Sequence, residues 1–341
     1  DLRSLGIQPI ALPLEKLAKD LGGDKLMQNT AAVAATAGIT GFPYERIADV
    51  ITQNFRRKGD AVVNGNLKVA QAAFDMAVKD YASGFAWKLS PVGGDARMLL
   101  NGNHAIALGA IAGGCKFISA YPMTPGTSII EYMTAKANRF GILTKQVEDE
   151  IAAILMAIGA ATSGVRAMTT TSGGGFSLMV EALGLAGITE TPLVIVLAQR
   201  TGPSTGMPTR TEQGDLQFAL HASQGEFPRV VLAPGNIEQC FEAGWRAFNL
   251  AEKYQLPVII LTDLTQAFAQ RTVDAAALSL DSVRIERGEL VSAEAAAALT
   301  DYKRHAITES GVSPRLLPGV STLPVFTTSD EHSERGYIVE S

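Results

Sequence analysis

The middle of the chain alternates short apolar runs with longer segments of helical periodicity. The apolar runs are almost unbroken, as expected for strands that are covered on both faces of a sheet. Segments long enough to cross back over a sheet as helices separate them, for example 148–162 and 176–186. This alternation predicts an α/β fold with a doubly wound parallel sheet. The predicted strands are 116–121, 165–171, 192–198, 229–233 and 257–262.

The regions before and after this domain follow other patterns. Residues 28–82 show the periodicity of a run of helices, with Thr30 as an expected helix cap, and we assign 1–84 to one helical region. A segment rich in Gly, Ser and Pro interrupts that periodicity and predicts a linker at 85–98, so that the α/β domain covers 99–273. The tail, 274–341, has one short Ala-rich segment and then no regular period. We interpret it as a connector toward a further domain.

Composition narrows the classes of function. The chain has 341 residues, 47% of them hydrophobic, and 29 Lys+Arg against 34 Asp+Glu give a net charge of −5. This length suggests about two units of ordinary domain size. Charges of both signs are scattered along the chain, so no basic face for a nucleic acid is expected. No apolar run reaches the roughly 18 to 20 residues that span a bilayer and no secretory signal opens the chain, so we expect no membrane partner and a cytoplasmic location.

The cysteines and histidines give no sign of a metal or nucleophile site. Cys115 and Cys240 are the only cysteines, and they lie far apart in the sequence. No metal is therefore expected on this chain, and an iron–sulfur centre would have to sit on a partner. The segment 169–175 resembles an anion-cradling loop, but its spacing matches neither GxGxxG nor GxxxxGK, so it does not indicate a nucleotide site.

Three loops that follow predicted strands carry candidate chemistry, because ligands of open α/β sheets bind at the carboxyl ends of the strands. The first loop, 121–128, contains two prolines that fix the backbone and can present Thr124 to a ligand carbonyl. The alternative for this loop is plain helix capping by Thr127 or Ser128, and spacing alone favours that interpretation.

The second loop is acidic, with Glu148, Asp149 and Glu150 entering an apolar helix. Acidic residues near a first helical turn are ordinary partners of the helix dipole, and base rates favour that interpretation for three in a row. Glu148, which stands just before the apolar face, is the candidate for the less common alternative, a half-buried carboxylate that exchanges a proton.

The third loop, 198–214, begins directly after an apolar predicted strand. Its Arg200 has the planar fork that binds a carboxylate through two hydrogen bonds. Hydroxyl side chains, Ser204, Thr205 and Thr209, follow in a segment shaped by Gly and Pro. Long shaped loops in compact domains are more often functional than not, so we favour ligand binding over a solvated turn.

These loops resemble the α subunit of 2-oxoacid:ferredoxin oxidoreductases. The resemblance covers about 101–273 and is carried, in this order, by YPMTPGTS, QVEDEIAAI, TTTSGGGFSLM, QRTGPSTGMPTRTEQGDL and GEFPRVVLAPG. The stretches LGGDKLMQNTAAVAATAG and RKGDAVVNGNLKVAQAAFDMA resemble the end of the γ domain, which many members of that family carry fused in front of α. The later SDEH also resembles the family, whose further α domain would follow the tail.

The resemblance implies a fold and a set of partners. The region 99–273 is expected to be the pyrimidine-binding domain for thiamine diphosphate, preceded by the helical end of a γ-type domain. In that family thiamine diphosphate is shared with a separate β subunit, which also holds Mg²⁺ and a [4Fe-4S] cluster. Coenzyme A is the co-substrate and ferredoxin accepts the electrons. The chain is therefore expected to be active only with its β subunit.

The resemblance also implies residue roles. Glu148 resembles the glutamate that contacts the aminopyrimidine N1′ and promotes the imino tautomer of the cofactor. Thr124 resembles the threonine that hydrogen-bonds the 2-oxoacid, Arg200 resembles the arginine that clamps its carboxylate, and Thr209 is a further candidate for a contact with the substrate side chain. The expected cofactor-binding residues are Glu148, Tyr121 and Pro122.

Some positions depart from the family pattern, among them two glycines and a histidine. Gly126 replaces Ser in YPITPS, Gly174 replaces Pro in TSGPG, and His104 replaces Glu in GNEA. The two glycine changes bear on substrate preference more than on chemistry, and His104 has no interpretation from sequence.

The expected reaction is the oxidative decarboxylation of 2-oxoglutarate with coenzyme A to succinyl-CoA, CO2 and reduced ferredoxin. Pyruvate and branched-chain 2-oxoacids are the alternative substrates. The alternative classes are a non-oxidative thiamine diphosphate decarboxylase or synthase and a non-catalytic assembly subunit.

Overall fold

The computed structural model describes residues 3–7, 9–90, 92–95 and 97–340. It divides into two compact units, Asp1–Gly94 and Asp95–Ser341. The boundary falls inside the predicted linker, of which positions 91 and 96 lie outside the described residues. Within the described ranges, no helix is both long enough and apolar enough to cross a membrane.

The first unit is made of helices. They are α1 (Leu14–Leu17), α2 (Gln28–Thr40), α3 (Tyr44–Phe55) and α4 (Asp60–Tyr81), with single turns at Arg3–Leu5, Ala18–Gly22, Lys25–Met27, Arg56–Lys58 and Ala82–Gly84. The core is mainly alanine, so α2 and α4 pack closely. A Cβ at Gly38 would lie 2.8 Å from the carbonyl oxygen of Phe74, which excludes any larger residue there. Thr30 lies inside α2 and donates to Asn66 Oδ1 at 2.7 Å, so the expected cap is wrong.

The second unit contains the sheet. Its strands are β1 (Arg97–Leu100), β2 (Phe117–Ala120), β3 (Leu143–Gln146), β4 (Ala167–Thr171), β5 (Leu193–Gln199), β6 (Val230–Leu232), β7 (Pro257–Asp263) and β8 (Arg271–Asp274). Six of them form one parallel sheet of order β3-β2-β4-β5-β7-β6. All five predicted strands belong to this sheet, which confirms the predicted parallel α/β fold.

Helices cover both faces of the sheet. They are α5 (Gly102–Ala112), α6 (Thr127–Phe140), α7 (Glu150–Thr162), α8 (Gly173–Ile188), α9 (Leu216–His221), α10 (Ile237–Tyr254), α11 (Leu264–Phe268) and α12 (Ala293–Ala298), with single turns at Ala275–Ala277 and Leu280–Ser282. On one face α5, α6 and α10 share a core with Val194 and Val196 of β5. On the other face α7, α8 and α9 share a core with Ile195 and Leu197. Alternate side chains of one strand thus enter two cores, as a doubly wound sheet requires.

Three strands are absent from the sequence prediction. β3 and β8 have weak apolar patterns, and β1, of sequence RMLL, is a short apolar run that begins inside the predicted linker. β3 is an edge strand of sequence LTKQ, and its one apolar residue, Leu143, is exposed. β1 and β8 pair antiparallel outside the main sheet, where Arg97 and Asp274 form an exposed ion pair at 3.0 Å. Strands covered on one face or at an edge lack the continuous apolar run on which the prediction depends.

The tail beyond β8 packs on the α/β domain through buried charges. Glu252 of α10 is 4% exposed and accepts from Arg287 Nε at 2.7 Å and from Arg315 Nη2 at 3.2 Å, both on the tail. The same carboxylate accepts from Arg166 Nε at 2.8 Å. Arg166 in turn donates to the carbonyl oxygen of Glu286 at 2.6 Å. The segment that we interpreted as a connector is therefore anchored at this cluster.

A second anchor of the tail is a pair of stacked imidazoles. The rings of His305 and His332 lie 3.7 Å apart between centroids, and His332 Nε2 lies 3.0 Å from the carbonyl oxygen of Ile188. His305 Nδ1 lies 3.3 Å from Glu190 Oε2, to which Arg304 Nη1 donates at 3.1 Å. Burial lowers the pKa of His305, and the charge of Arg304 lowers it further, against an opposing effect of Glu190.

This cluster predicts a loss of stability between pH 7.5 and 5.5. Because the pKa of His305 is lower in the folded chain than its ordinary value of 6.5, the unfolded chain binds the extra proton first. The contribution of His305 is therefore present above about pH 6.5 and is lost as the pH falls, with a slope of at most about 1.4 kcal/mol per pH unit. Urea unfolding of the wild-type chain and of His305→Gln at both pH values measures it. A wild-type chain that loses no more stability than His305→Gln would contradict the prediction.

Candidate active site

A cavity of 490 Å³ opens where three parallel strands end. Loops after β2, β4 and β5 contribute to its wall, as expected for a site at the carboxyl edge of an open sheet. The polar side chains in the wall come from the start of α8 and from the loop after β5. The lining residues are Met123, Gly173, Gly174, Ser177, Arg200, Thr201, Gly202, Pro203, Ser204, Thr205, Asp215 and Phe218.

Arg200 joins two of the predicted loops. Its Nη1 donates to the carbonyl oxygen of Thr124 at 2.7 Å, and its Nη2 donates to the carbonyl oxygen of Thr205 at 3.3 Å. These contacts bring the predicted substrate residues Thr124 and Arg200 together. No described carboxylate forms an ion pair with Arg200, so its charge at the cavity wall is not neutralised by a neighbour. A fixed, unpaired guanidinium at a cavity wall suits a carboxylate ligand.

Gln199 fixes both ends of the loop that carries Arg200. It is the last residue of β5 and is 4% exposed, and its Nε2 donates to the carbonyl oxygen of Thr262 at 3.2 Å. Its Oε1 accepts from the backbone N–H of Asp215 at 2.8 Å, where the loop ends. Thr209 lies in an exposed turn of this loop and is not among the residues that line the cavity. The structure therefore does not bring Thr209 to Arg200.

The three acidic residues of the second loop have different environments. Glu148 is exposed. Asp149 caps α7, since its Oδ1 accepts from the backbone N–H of Ala152 at 2.7 Å. Glu150 is 3% exposed, and its Oε1 has no hydrogen-bond partner among the described residues. The buried carboxylate thus lies two residues after the predicted Glu148.

The spacing of apolar residues along α7 indicates that Glu150 is buried. Ala153, Ile154 and Ala157 follow it by three, four and seven residues, and all three are buried against the sheet. A residue at Glu150 therefore lies on the inward face of α7. Glu148 precedes the helix and has no such constraint.

The glycines of 173–175 let α8 start against acidic side chains. A Cβ at Gly173 would lie 2.6 Å from Asp215 Oδ2, and a Cβ at Gly175 would lie 2.7 Å from Glu150 Oε1 and closer still to Thr171 Oγ1. A Cβ at Gly174 would meet only the carbonyl oxygen of Ser204, at 3.4 Å. The two glycines that depart from the family pattern differ in the space around them. Gly126 has no room for a side chain, since a Cβ there would lie 2.6 Å from Thr170 Oγ1, whereas Gly174 has room.

Alanine substitutions at two adjacent glycines are expected to have opposite effects on stability. Gly174→Ala removes backbone freedom in a helical turn without a clash, so it should raise the free energy of unfolding by about 0.5–1 kcal/mol. Gly175→Ala forces its Cβ into Thr171 and Glu150, and should lower that free energy by about 1–3 kcal/mol. Urea unfolding of the two variants beside the wild type measures both values, and equal signs would contradict the close approach described here.

Tyr121 and Pro122 directly follow β2, where Tyr121 is half-buried and Pro122 is exposed. Neither lines the cavity, although the neighbouring Met123 does.

Thr127 and Ser128 do not cap α6 with their side chains. Ser128 Oγ instead accepts from Asn103 Nδ2 at 2.8 Å, which ties this loop to α5.

Asp215 is a cavity residue that sequence analysis missed. Its Oδ2 is buried without a hydrogen-bond partner in the described part of the molecule. Burial raises the pKa of this carboxyl, and the nearby charge of Glu212 raises it further. Asp215 lies at the end of a long loop, after a polar stretch of sequence. No apolar pattern therefore indicates that it is half-buried.

The remaining titratable candidates do not form a site. His104 stacks on Tyr132 with 4.5 Å between ring centroids, and burial lowers its pKa. Burial raises the pKa of Cys115 to about 12 and that of Cys240 to about 11, so both thiols stay protonated and unreactive. Among the described residues, no group of three or more His, Cys, Asp or Glu side chains is placed to hold a metal ion.

Two family models match the chain. Residues 108–341 match the thiamine diphosphate-binding domain of pyruvate flavodoxin/ferredoxin oxidoreductase, and residues 2–76 match the pyruvate ferredoxin/flavodoxin oxidoreductase domain. The chain therefore belongs to the family of 2-oxoacid:ferredoxin oxidoreductases, as the sequence motifs predicted. The second match covers most of the helical unit in front of the α/β domain.

Individual relatives support the same family. The α subunit of 2-oxoacid:ferredoxin oxidoreductase from Saccharolobus solfataricus is 40% identical over 92% of this chain and 50% of its own length. The KorA subunit of 2-oxoglutarate synthase from Methanothermobacter thermautotrophicus is 50% identical over 48% of this chain and 44% of its own length. The chain spans about half the length of these relatives.

A solved structure extends the comparison to the fold. The 2-oxoglutarate:ferredoxin oxidoreductase from Magnetococcus marinus, with 2-oxoglutarate, coenzyme A and succinyl-CoA bound, matches with a TM-score of 0.84 and 32% identity. The match covers 98% of this chain and 59% of that chain.

Proposed function

We propose that this chain is the part of a 2-oxoacid:ferredoxin oxidoreductase that holds the pyrimidine of thiamine diphosphate and the carboxylate of the substrate. With 2-oxoglutarate, the assembled enzyme converts 2-oxoglutarate, coenzyme A and oxidised ferredoxin to succinyl-CoA, CO2 and reduced ferredoxin, with two electrons passing to ferredoxin. The observation that carries the proposal is the unpaired Arg200 guanidinium at the cavity wall. The match to a structure with bound 2-oxoglutarate supports this choice of substrate.

Arg200 and Thr124 bind the 2-oxoacid in this proposal. Two carbonyl oxygens hold the guanidinium in place. Binding of a carboxylate therefore costs little side-chain entropy at Arg200. Thr124 lies beside it and offers a hydroxyl to the 2-oxo oxygen. Thr209 remains a candidate contact for the far end of the substrate, which requires its exposed turn to close over the cavity.

Glu150, in preference to Glu148, is the carboxylate that we assign to the aminopyrimidine. Thiamine diphosphate supplies, when bound, the carbon nucleophile that attacks the 2-oxo carbonyl. The residues here fit it, because the buried Oε1 of Glu150 has no hydrogen-bond partner among the residues that the structure describes and can accept a hydrogen bond from a protonated ring nitrogen. Glu148 is exposed, so water can hydrogen-bond its carboxylate. Tyr121 and Pro122 form the adjoining edge of the proposed cofactor site.

The remaining parts of the reaction are placed on other chains in this proposal, as the family resemblance implies. A companion β subunit would hold the cofactor diphosphate, Mg²⁺ and a [4Fe-4S] cluster, and it would pass electrons to ferredoxin. Coenzyme A would accept the acyl group in the assembled enzyme.

The test is coenzyme A-dependent reduction of methyl viologen by the natively purified assembly under anoxic conditions. 2-Oxoglutarate, pyruvate and 2-oxoisovalerate are compared, and 2-oxoglutarate is expected to give the highest kcat/KM. Arg200→Gln should lower kcat/KM by about 30-fold or more, mainly through KM, because a charged partner of the substrate is lost. Arg139→Gln, at an exposed position near the end of α6, is the matched control and should behave like the wild type. No viologen reduction with any 2-oxoacid would reject the oxidoreductase and favour a non-oxidative enzyme.

A further inference from the structure

The turn that follows β2 is held by side chains from three other parts of the second unit. We call residues 124–126 the Thr124 turn. Each of its three carbonyl oxygens accepts a hydrogen bond from a side chain outside the turn. Arg200 Nη1 donates to Thr124 at 2.7 Å, Asn103 Nδ2 donates to Pro125 at 2.8 Å, and Thr170 Oγ1 donates to Gly126 at 3.3 Å. The position of this turn therefore depends on the loop after β5, on α5 and on β4.

Asn103 is the donor whose presence packing alone does not explain. Its side chain is 0% exposed near the start of α5, and its Nδ2 also donates to Ser128 Oγ at 2.8 Å. Its Oδ1 has no hydrogen-bond partner among the described residues, and such a buried oxygen opposes folding. An apolar side chain would avoid that cost. The two donated bonds, to Pro125 and Ser128, are therefore what the amide contributes.

The start of the helix that carries Asn103 is itself fixed. Asn101 caps α5, since its Oδ1 accepts from the backbone N–H of His104 at 2.8 Å. Gly102 lies against α11, where an added Cβ would lie 2.5 Å from the carbonyl oxygen of Gln266. A side chain on a fixed helix start places a loop more precisely than a side chain on another loop does.

Thr124 is the residue that this turn presents. Its side chain is half-buried, and its hydroxyl forms no hydrogen bond with any residue that the structure describes. Arg200 has a second anchor at the carbonyl oxygen of Thr205. Loss of the Asn103 amide therefore leaves Arg200 held and releases the part of the turn next to Thr124.

We propose that Asn103 is a positioning residue for the 2-oxoacid, since it holds the Thr124 turn at the place where the Thr124 hydroxyl donates to the 2-oxo oxygen. This inference rests on the proposed function, in which Thr124 and Arg200 bind the substrate. Asn103 itself is not among the residues that line the cavity. It acts through Thr124, and a displacement of about 1 Å at such a group can cost about 100-fold in rate.

A double-mutant cycle in the natively purified assembly tests this role. Asn103→Ala is expected to lower kcat for 2-oxoglutarate in the viologen assay by about 10- to 100-fold, with KM changed by no more than about threefold. The loss falls on kcat because the 2-oxo oxygen gains negative charge only as its carbonyl is attacked. Thr124→Val removes the hydroxyl and keeps the branched shape. In that background Asn103→Ala should lower kcat by no more than about twofold, because the group through which it acts is gone. Equal losses in the two backgrounds overturn the proposal.

Asn249→Ala is the matched control. Asn249 is a buried amide of α10, and its Nδ2 donates to the carbonyl oxygen of Arg284, on the tail, at 2.8 Å. Asn103→Ala and Asn249→Ala each remove a buried amide, so both should lower the midpoint of thermal unfolding. Only Asn103→Ala should lower kcat. An equal fall of kcat in both variants would show a merely structural effect and contradict the positioning role.

Hydrogen exchange tests the anchor without turnover. In the wild-type assembly the backbone amides of 121–130 should exchange at least about tenfold more slowly than those of the largely exposed loop 201–214. Asn103→Leu keeps the branched outline of the side chain without its polar atoms. It should speed exchange at 121–130 and leave 105–112 unchanged. The wild-type measurement decides the matter if neither variant at position 103 folds, because rapid exchange at 121–130 overturns the proposal and slow exchange supports it.

The inference and the proposed function fail in different measurements. No viologen reduction by the wild type with any 2-oxoacid rejects the proposed function, while faster exchange at 121–130 in Asn103→Leu still shows that Asn103 holds the turn. Turnover by the wild type combined with unchanged exchange in Asn103→Leu, or with equal losses in both backgrounds of the cycle, overturns the inference and leaves the proposed function standing.

Discussion

Glu150→Gln is expected to lower 2-oxoacid-dependent viologen reduction by the assembled enzyme about 100-fold or more, whereas Glu148→Gln should change it by no more than about twofold. The substitution keeps the size of the side chain and removes the oxygen that can hold a proton at the pyrimidine ring. Glu148→Gln changes an exposed carboxylate in the same loop, and it is therefore the matched control.

A second measurement separates this role from a structural one. The free chain keeps a buried carboxylate oxygen without a described partner, and such a group opposes folding. The midpoint of thermal unfolding of Glu150→Gln should therefore equal or exceed that of the wild type. Lost turnover with an unchanged or higher midpoint is the pattern of a residue retained for chemistry at a cost in stability. Lost turnover in Glu148→Gln with normal activity in Glu150→Gln would instead support the assignment made from sequence.

The two glutamates show where sequence analysis reached its limit. The motif QVEDEIAAI places the carboxylate that we propose for the cofactor within three residues, because a strand followed by an apolar helix fixes the local fold. Choosing among three adjacent acidic residues needed the rotation of α7 against the sheet. That rotation follows from burial of Ala153, Ile154 and Ala157, which share the inward face with Glu150.

The strands also differ in how far the sequence predicts them. β5 reads LVIVLAQ and is buried along its whole length, so its apolar run alone predicts it. β3 reads LTKQ at the sheet edge, where its position depends on pairing with β2 and not on apolar burial. Local pattern therefore predicts the central strands, whereas the edge is set by tertiary contacts.

The cavity contains loop residues that sequence patterns predict only in part. Arg200 was predicted from its place directly after β5, and in the structure its Nη1 donates to the carbonyl oxygen of Thr124. Asp215, fifteen residues later, lines the same cavity, and Gln199 holds this far end of the loop at the strand. Such a closure depends on long-range hydrogen bonds, here those of Gln199 and of Gln213 with Asp263, and no periodicity in the loop encodes them.

The packing of the tail is the feature of the fold that its local sequence pattern indicates least. Its irregular, Gly- and Pro-rich sequence suggested a connector, and it nevertheless packs on the domain through the Glu252 cluster. Three arginines that are far apart in sequence meet at one carboxylate, and spacing along the chain gives no sign of this meeting. The cluster should therefore hold a large part of the stability of the second unit.

Glu252→Gln should lower the free energy of unfolding by about 3–5 kcal/mol, because it leaves buried Arg166 and Arg315 without their counter-charge. For a unit of this size the thermal midpoint should fall by roughly 6–20 °C. Glu242→Gln is the matched control on the same helix: its carboxylate is 48% exposed and pairs with Arg246, so a loss below about 0.5 kcal/mol is expected. Calorimetry and urea unfolding at pH 7 measure both variants. Because Arg287 and Arg315 reach Glu252 from the tail, limited proteolysis should also cut the tail of Glu252→Gln sooner than that of Glu242→Gln. Equal stability of the two variants would show that other contacts, including the His305 cluster, are enough to hold the tail in place.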